Sequence, residues 1–362
     1  MLAAGYPTAH IGFSDIEGGI FELDGLTVYP RLRDPLGEDA CIAHARDWGA
    51  DVTFTCQDIW ILDPGKLKKF RRWIPYLPID SDPLMPETAE RLPLAYDVVT
   101  YSRFGHRLLR ASGFSSSYIP MGVDTKTFVP MDRREARRHF QIPQGVYVFG
   151  MVAANLDNPS RKGFQEVLEA FQLFHREHPK SALFLHTNAR DSRQGFPIGE
   201  YATALGLSEV VYGLPEYTAT FKLGVADMAR LYSTFDCLLA PSAREGFCLP
   251  IVEAQACGIP VIVNNTTSMP ELVGAGAACD TGWKWWINRG TYARQPDVRS
   301  LLDKMEEIYR GDREALAASA RRFAVANYDM DRIFETKWKP YLARLERRVV
   351  GRKREPLQPG NS

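Results

Sequence analysis

Residues 237–264 read CLLAPSAREGFCLPIVEAQACGIPVIVN, and the fold follows from how this stretch divides. Cys237–Ala240 is an apolar run of strand length, and Pro260–Val263 is a second. Between them, Pro250 sits where a helix can start without losing a needed N–H. Gly258 is a natural helix stop, and Pro260 prevents continuation. The loop Pro241–Leu249 therefore lies at the carboxyl end of a strand and leads into a helix N-terminus. That geometry binds anions through free backbone N–H groups and the helix dipole. Glu245 lies in the loop, and Glu253, eight residues on, is expected in the first helical turn. Ionised carboxylates accept hydrogen bonds from sugar or ribose hydroxyls, which is one reading of the pair. The other is that Glu253 caps the helix and Glu245 is a solvated loop charge. Gly246 is expected to let the backbone approach a ligand closely.

Working outward, the same alternation of strand and helix continues. Strands are predicted at Tyr147–Val152, Ala182–Leu185 and Val210–Tyr212, with helices at 163–178, 198–206, 225–235 and 249–257. Leu301, Leu302, Met305, Ile308 and Tyr309 mark one apolar stripe on a helix over Asp297–Tyr309, and helices near 313–327 and 330–348 follow. The first third repeats the pattern more loosely. Its strands are Leu26–Tyr29, Val52–Thr55, Tyr76–Ile79, Val98–Tyr101 and Tyr118–Ile119, and its helices 40–49, 64–73, 85–95 and 103–112. Such alternation implies parallel sheets covered on both faces, so the fold class is α/β with two doubly wound, Rossmann-like domains facing across a cleft. The predicted division is 1–120, 121–335 and a C-terminal helix with a basic tail over 336–362. Ligands bind at the carboxyl ends of strands in such sheets, here in the cleft between the domains. The first domain is expected to lack its opening strand–helix pair, because only Ile11–Phe13 resembles a strand before residue 26.

The 362 residues are 45% hydrophobic and 24% charged, a globular balance that excludes a disordered chain. Forty-four basic and forty-four acidic residues cancel, which argues against nucleic acid as a partner. The six cysteines include no CxxC pair and suit buried thiols in a reducing compartment. No apolar run of spanning length and no signal peptide is legible, so the expected location is cytoplasmic. Arg344, Arg347, Arg348, Arg352, Lys353 and Arg354 crowd the tail, either as a solvated helix end or as a weak peripheral contact for anionic lipid headgroups.

The pattern PSxxEGFxLPxxEAxAxGxPV over residues 241–261 resembles the donor-binding signature of retaining GT-B glycosyltransferases of family 4, the E-x7-E group. Cys248 departs from it, standing where that family usually has glycine. YIPMGVDTKTF, residues 118–128, is similar to the stretch that opens the family's second domain, with Met121 replacing asparagine. TTSMPELV, residues 266–273, resembles its loop of small residues facing the diphosphate. AANLDNPSRKG, residues 153–163, resembles its first donor-domain loop. The resemblance implies a nucleoside-diphosphate sugar as co-substrate, retention of anomeric configuration, and neither a cofactor nor a metal. It implies that Glu245 contacts the hydroxyls of the transferred sugar and Glu253 the ribose. Lys162 would lie on the leaving diphosphate, with Arg161 standing in for the family's separate arginine, whose place Asn155 takes. Gly246, Phe247, Leu249, Thr267 and Ser268 complete the implied donor site. The growing negative charge on the leaving phosphate is met in such a site by fixed cations and a helix end.

Relatives carry a histidine in the first domain's half of the cleft; here Pro78–Pro83 offers Asp80 and Asp82, read either as acceptor-side groups or as loop-turn aspartates. The acceptor is left as a carbohydrate, lipid-linked or other small molecule. His175 and His178 form a weak metal pattern, and no metal is expected. Trp283, Trp285 and Trp286 are read as packing under the terminal helices, or alternatively as a stacking surface for sugar or base. The primary functional reading is a glycosyltransferase; the rival is a nucleotide-sugar-binding or scaffold protein with impaired catalysis, and a third, an epimerase, is disfavoured by the donor signature.

Overall fold

The computed structural model describes residues 5–12, 16–187, 195–215 and 223–354, the last four without side chains. The second domain holds a six-stranded parallel sheet: β8 (Tyr147–Val152), β9 (Ser181–His186), β10 (Val211–Gly213), β11 (Cys237–Ala240), β12 (Val261–Asn264) and β13 (Gly276–Cys279). Their spatial order is β10-β9-β8-β11-β12-β13, which is the doubly wound order with its switch point between β8 and β11. These strands are near-continuous apolar runs because both faces are covered. The helix Phe164–Glu177 buries Phe164, Val167, Leu168, Phe171 and Phe174 on one side of the sheet. On the other side, the helix Leu249–Ala256 buries Ile251, Val252, Ala254 and Ala256.

In the first domain, β4 (Thr53–Cys56), β5 (Trp73–Leu77), β6 (Val99–Thr100) and β7 (Ser117–Tyr118) form a parallel sheet in chain order. A second small sheet orders β1 (Ala9–Ile11), β3 (Leu26–Tyr29) and β2 (Phe21–Leu23), with β1 parallel to β3. The fold is thus α/β with two parallel-sheet domains facing each other, as the strand–helix alternation predicted.

Several elements differ from expectation. The helix predicted over 64–73 is only Pro64–Leu67, and β5 begins at Trp73. Leu67, Phe70 and Trp73 are all buried, and their spacing of three imitates a helical stripe that in fact spans a short helix, a turn and a strand. The tryptophan cluster does not pack under the terminal helices. It lies on an antiparallel hairpin, β14 (Thr281–Ile287) and β15 (Thr291–Pro296), where Trp283 is 65% and Trp286 55% exposed. Its legible signal was the alternating run Thr281–Ile287 followed by Gly290, which has φ +68°. The strand β13 was missed as well; its Gly276–Cys279 run is too small-sided to announce itself.

The chain crosses between domains twice. At the crossing, Val123 N–H donates to Tyr328 O at 2.8 Å and Met330 N–H to Val123 O at 3.0 Å, while the Thr125 hydroxyl donates to Asp329 at 2.5 Å. After it, the helix Lys339–Arg354 returns to the first domain, where Tyr341, Leu342, Leu345 and Val349 pack with Ile74 and Val99. Two basic tail residues are engaged there: Arg348 with Asp97 at 2.5 Å and Arg344 with Ser117 at 3.2 Å. Among the described residues no helix is long and apolar enough to cross a membrane.

Candidate active site

The loop after β8 and the loop after β11 leave adjacent strands at the switch point, and this brings the predicted charges together. Lys162 Nζ lies 2.5 Å from Glu245 Oε1, and Arg161 Nη1 lies 3.4 Å from the same oxygen. Arg161 also donates to Arg244 O at 3.0 Å, which ties the two loops through backbone as well as charge. Glu245 is buried, which alone would raise its pKa; the Lys162 ammonium and Arg161 guanidinium outweigh burial and hold it below the usual carboxylate range. It is therefore no solvated loop charge.

The loop is rigidly held. Glu245 N–H donates to Thr267 Oγ1 at 3.1 Å, and the Ser268 hydroxyl donates to Glu245 O at 2.8 Å. Thr267 and Ser268 thus brace the loop, and neither borders the cavity described below. Phe247 is buried against Tyr328, their rings 5.7 Å apart. The helix begins at Leu249 with Cys248 as N-cap, so Glu253 sits in the second turn and caps nothing. Its carboxyl accepts the Tyr232 hydroxyl at 2.6 Å, and burial pushes its pKa up. Cys248 has φ +78°, the left-handed region where glycine is at ease, which accounts for the glycine usual at this place. Burial pushes its thiol up to about 12, so it stays protonated.

A cavity of about 950 Å³ opens between the domains over this cluster. Lys162, Arg161, Glu245, Gly246, Phe247 and Leu249 border it from the second domain, and Asp80 from the first. Asp80 is ion-paired with Arg244 across the cleft. Asp82 is exposed and does not border the cavity. Asn155 is not on its wall either: its amide donates to Phe196 O and accepts Phe196 N–H, both at 2.8 Å, holding the loop start at 195–196. Gly246 borders the cavity and is also where the two domains approach each other. A Cβ there would lie 2.3 Å from Pro78 Cβ, so its bareness allows the two domains to touch.

Sequence reasoning missed several cavity residues. Asp58 and Trp60 follow β4, and His186 and Thr187 end β9, so the rule of carboxyl strand ends applied to every strand would have found them. Burial raises Asp58, with the Asp80 charge adding to it, and lowers His186. His186 Nδ1 and Thr187 Oγ1 are buried without a hydrogen-bond partner, leaving polar atoms available at the cavity. Glu271, which follows the loop of small residues, was given no role; its carboxylate accepts the Arg103 and Phe104 N–H groups at 2.7 and 3.0 Å, capping a first-domain helix from across the cleft. His175 bonds Ser181 and His178 bonds Glu306, both within the packed domain.

Residues 132–323, just over half the chain, match the family described as glycosyl transferases group 1. The MMP alpha-(1->4)-mannosyltransferase of Mycolicibacterium hassiacum is 30% identical over 161 residues, 44% of this chain and 34% of that enzyme. The chain thus matches about a third of the length of that curated relative. Among solved structures, sucrose-phosphate synthase from Thermosynechococcus elongatus superposes with a TM-score of 0.73 at 17% identity, covering 95% of this chain and 90% of that one. Anabaena Alr3699/HepE in complex with UDP-glucose gives 0.67 at 17% identity, covering 88% and 86%. The cluster at the β8/β11 switch point, the two facing α/β domains and the match over residues 132–323 converge: this chain belongs to the glycosyl transferases of group 1 and has the GT-B fold.

Proposed function

We propose that the chain transfers a sugar from a nucleoside-diphosphate sugar to an acceptor hydroxyl, with retention of configuration, as an E-x7-E member of family 4. The observation that carries this reading is the meeting of Lys162, Arg161 and Glu245 where two loops leave the switch point. In the transfer, the bond from the anomeric carbon to the diphosphate oxygen breaks and its electron pair leaves with the diphosphate. The acceptor oxygen bonds the anomeric carbon, and its proton passes to the diphosphate. Lys162, Arg161 and the N-terminus of the helix at Leu249 stabilise the charge that grows on the leaving group, so the step needs no metal. Glu245, held ionised, accepts hydrogen bonds from hydroxyls of the transferred sugar. Glu253, fixed by Tyr232, takes the ribose, and His186 and Thr187 offer further polar atoms to the nucleoside.

The relative of 30% identity is a mannosyltransferase by name, and the HepE structure holds UDP-glucose, so nucleotide-linked mannose and glucose head the donor screen. Thermal-shift screening of nucleotide sugars followed by a transfer or hydrolysis assay tests the reading. A Glu245→Gln variant is expected to lose about 100-fold in kcat/KM, the worth of a charged hydrogen bond or two, while binding the nucleoside diphosphate within a few-fold of wild type. Wild-type turnover by this variant would remove the role given to Glu245. Binding without turnover by the wild-type chain would favour a nucleotide-sugar-binding protein instead. A cytoplasmic setting is part of the same proposal and suits a water-soluble donor.

A further inference from the structure

The donor loops leave the carboxyl ends of β8 and β11. At the opposite, amino ends of the same two strands, three arginines gather on one carboxylate. Asp236, the residue before β11, is buried. Its Oδ2 accepts Arg137 Nη2 at 2.8 Å and the Val148 N–H at 2.7 Å. Its Oδ1 accepts Arg133 Nη1 at 2.8 Å and lies 2.6 Å from Arg313 Nη2. Four donors thus occupy both oxygens of a single acid.

The three cations are not equivalent. Arg137 is buried and donates also to Thr234 O at 2.9 Å and Val146 O at 3.0 Å, so its guanidinium ties the helix Arg133–His139 to the sheet. One such pair is electrically complete, which leaves Arg133 and Arg313 in excess of what Asp236 balances. Among the described residues neither has a second ion pair. The neighbouring acids are engaged elsewhere: Asp132 caps its own helix on the Glu135 N–H, and Asp312 caps the next on the Glu314 and Ala315 N–H groups. Arg133 Nε is buried without a hydrogen-bond partner, a state that costs free energy until an acceptor reaches it. Burial, and then the like charge of Arg137, lower the pKa of Arg133 in spite of Asp236. Arg313 is half-exposed, so the cluster opens to solvent on its side.

We infer that Arg133 and Arg313 form a binding site for a compact dianion, a phosphate group carried by inorganic phosphate or by a phosphate monoester. The charge matches, because such a group brings about −1.5 to −2 at neutral pH against two surplus guanidiniums. The geometry matches as well. Guanidinium forks suit tetrahedral oxyanions, and Arg133 and Arg313 converge on one oxygen, which concentrates their charge at a point. None of these residues borders the cleft cavity, so the site is separate from the seat of the donor diphosphate. An anion there would bridge the starts of the helices Arg133–His139 and Arg313–Tyr328.

The test uses the full chain. Calorimetry and phosphorus NMR follow the binding of inorganic phosphate and, separately, of glycerol phosphate, with a chloride buffer of matched ionic strength as reference. Wild type is expected to bind at least one of them with a Kd on the order of 1 mM, the yield of two or three charged hydrogen bonds. The tighter of the two names the source. Arg313→Ala leaves Asp236 with Arg133, Arg137 and the Val148 N–H, so the fold should persist, which a urea titration in chloride checks. This variant should bind about tenfold more weakly, and Arg313→Lys, which keeps the charge and loses the fork, should recover part of the loss. Lys162→Ala, at the donor site, should keep the binding that depends on Arg313. Equal binding by wild type and Arg313→Ala overturns the inference, as does binding of neither probe. Equal stabilisation by chloride and phosphate at matched ionic strength overturns it too, since screening of the arginines would then be the whole effect. Binding lost only in Lys162→Ala places the phosphate in the donor site and overturns it likewise.

Discussion

Replacing Gly246 by alanine adds one methyl group where the two domains touch. Gly246 has no positive φ, so the backbone accepts alanine and the effect is confined to the space the methyl meets. That space is occupied by Pro78, whose Cβ would be 2.3 Å away and whose Cα 2.9 Å away. Ordinary contact starts at 3.4 Å, so the donor loop and Pro78 must part by about 1.1 Å. A proline ring has no rotamer that clears the way. Were the loop locked in a core, overpacking would cost about 1–3 kcal/mol. Pro78 belongs to the other domain, so a small opening of the cleft absorbs the clash, and the loss of stability should fall at or below ~1 kcal/mol, the low end of that range. Catalysis is less forgiving, since a displacement of ~1 Å at the reacting groups costs on the order of 100-fold in rate. Gly246→Ala is therefore expected to unfold in urea close to wild type and to bind nucleoside diphosphate nearly as well. Its transfer rate should fall by about two orders of magnitude. Steady-state kinetics, calorimetry and denaturant titration on one preparation separate the three quantities. Wild-type turnover would show that the loop and Pro78 do not meet in the working enzyme, and a stability loss above ~3 kcal/mol would show that the cleft cannot yield.

The buried carboxyl of Glu166, whose Oε2 has no hydrogen-bond partner, is pushed by burial up to about 7 from an ordinary 4.5. A raised carboxyl stabilises the fold fully below the unfolded pKa and loses that contribution as pH climbs through the folded one, so the window is about 4.5 to 7. Glu166→Gln is thus expected to match wild type near pH 4.5 and to exceed it by roughly 1–2 kcal/mol at pH 8; urea titrations at both values check it, and a difference independent of pH refutes it. Cys248→Gly should leave stability unchanged or raise it by up to about 1 kcal/mol, because relief of the left-handed strain offsets the chain entropy that glycine adds. A thermal-denaturation loss of well over 1 kcal/mol would mean that the thiol's packing outweighs its strained backbone. The Glu245→Gln experiment completes the set and is aimed at the donor.

The donor half of this protein was legible because its residues are local. Strand, loop and helix start lie within 237–257, and turn chemistry placed each boundary to within a residue or two. Lys162 and Glu245, 83 residues apart, were both assigned to the donor by the family resemblance alone, and the structure adds that the carboxyl ends of adjacent strands bring them together. What could not be read was anything set by one domain against the other. Nothing in the local pattern announced that Gly246 meets Pro78 or that Glu271 caps a first-domain helix. Arg244 carried no signal at all, yet it pairs with Asp80 across the cleft and borders the cavity there. The hairpin was hidden for a different reason: its tryptophans suggested a core, and only pairing with β15 explains their exposure.

The double crossing between the domains has a mechanical consequence. A single linker leaves two bodies free to tilt, twist and slide; two linkers bonded to each other at Val123 and Asp329 leave one easy motion, rotation about the line they share. Under that constraint, every point in the cleft opens in proportion to its distance from the crossing. The β14–β15 hairpin adds a further tie across the cleft, through Arg289 over the Trp60 ring and the Thr291 hydroxyl on Pro83 O, which such a rotation has to strain.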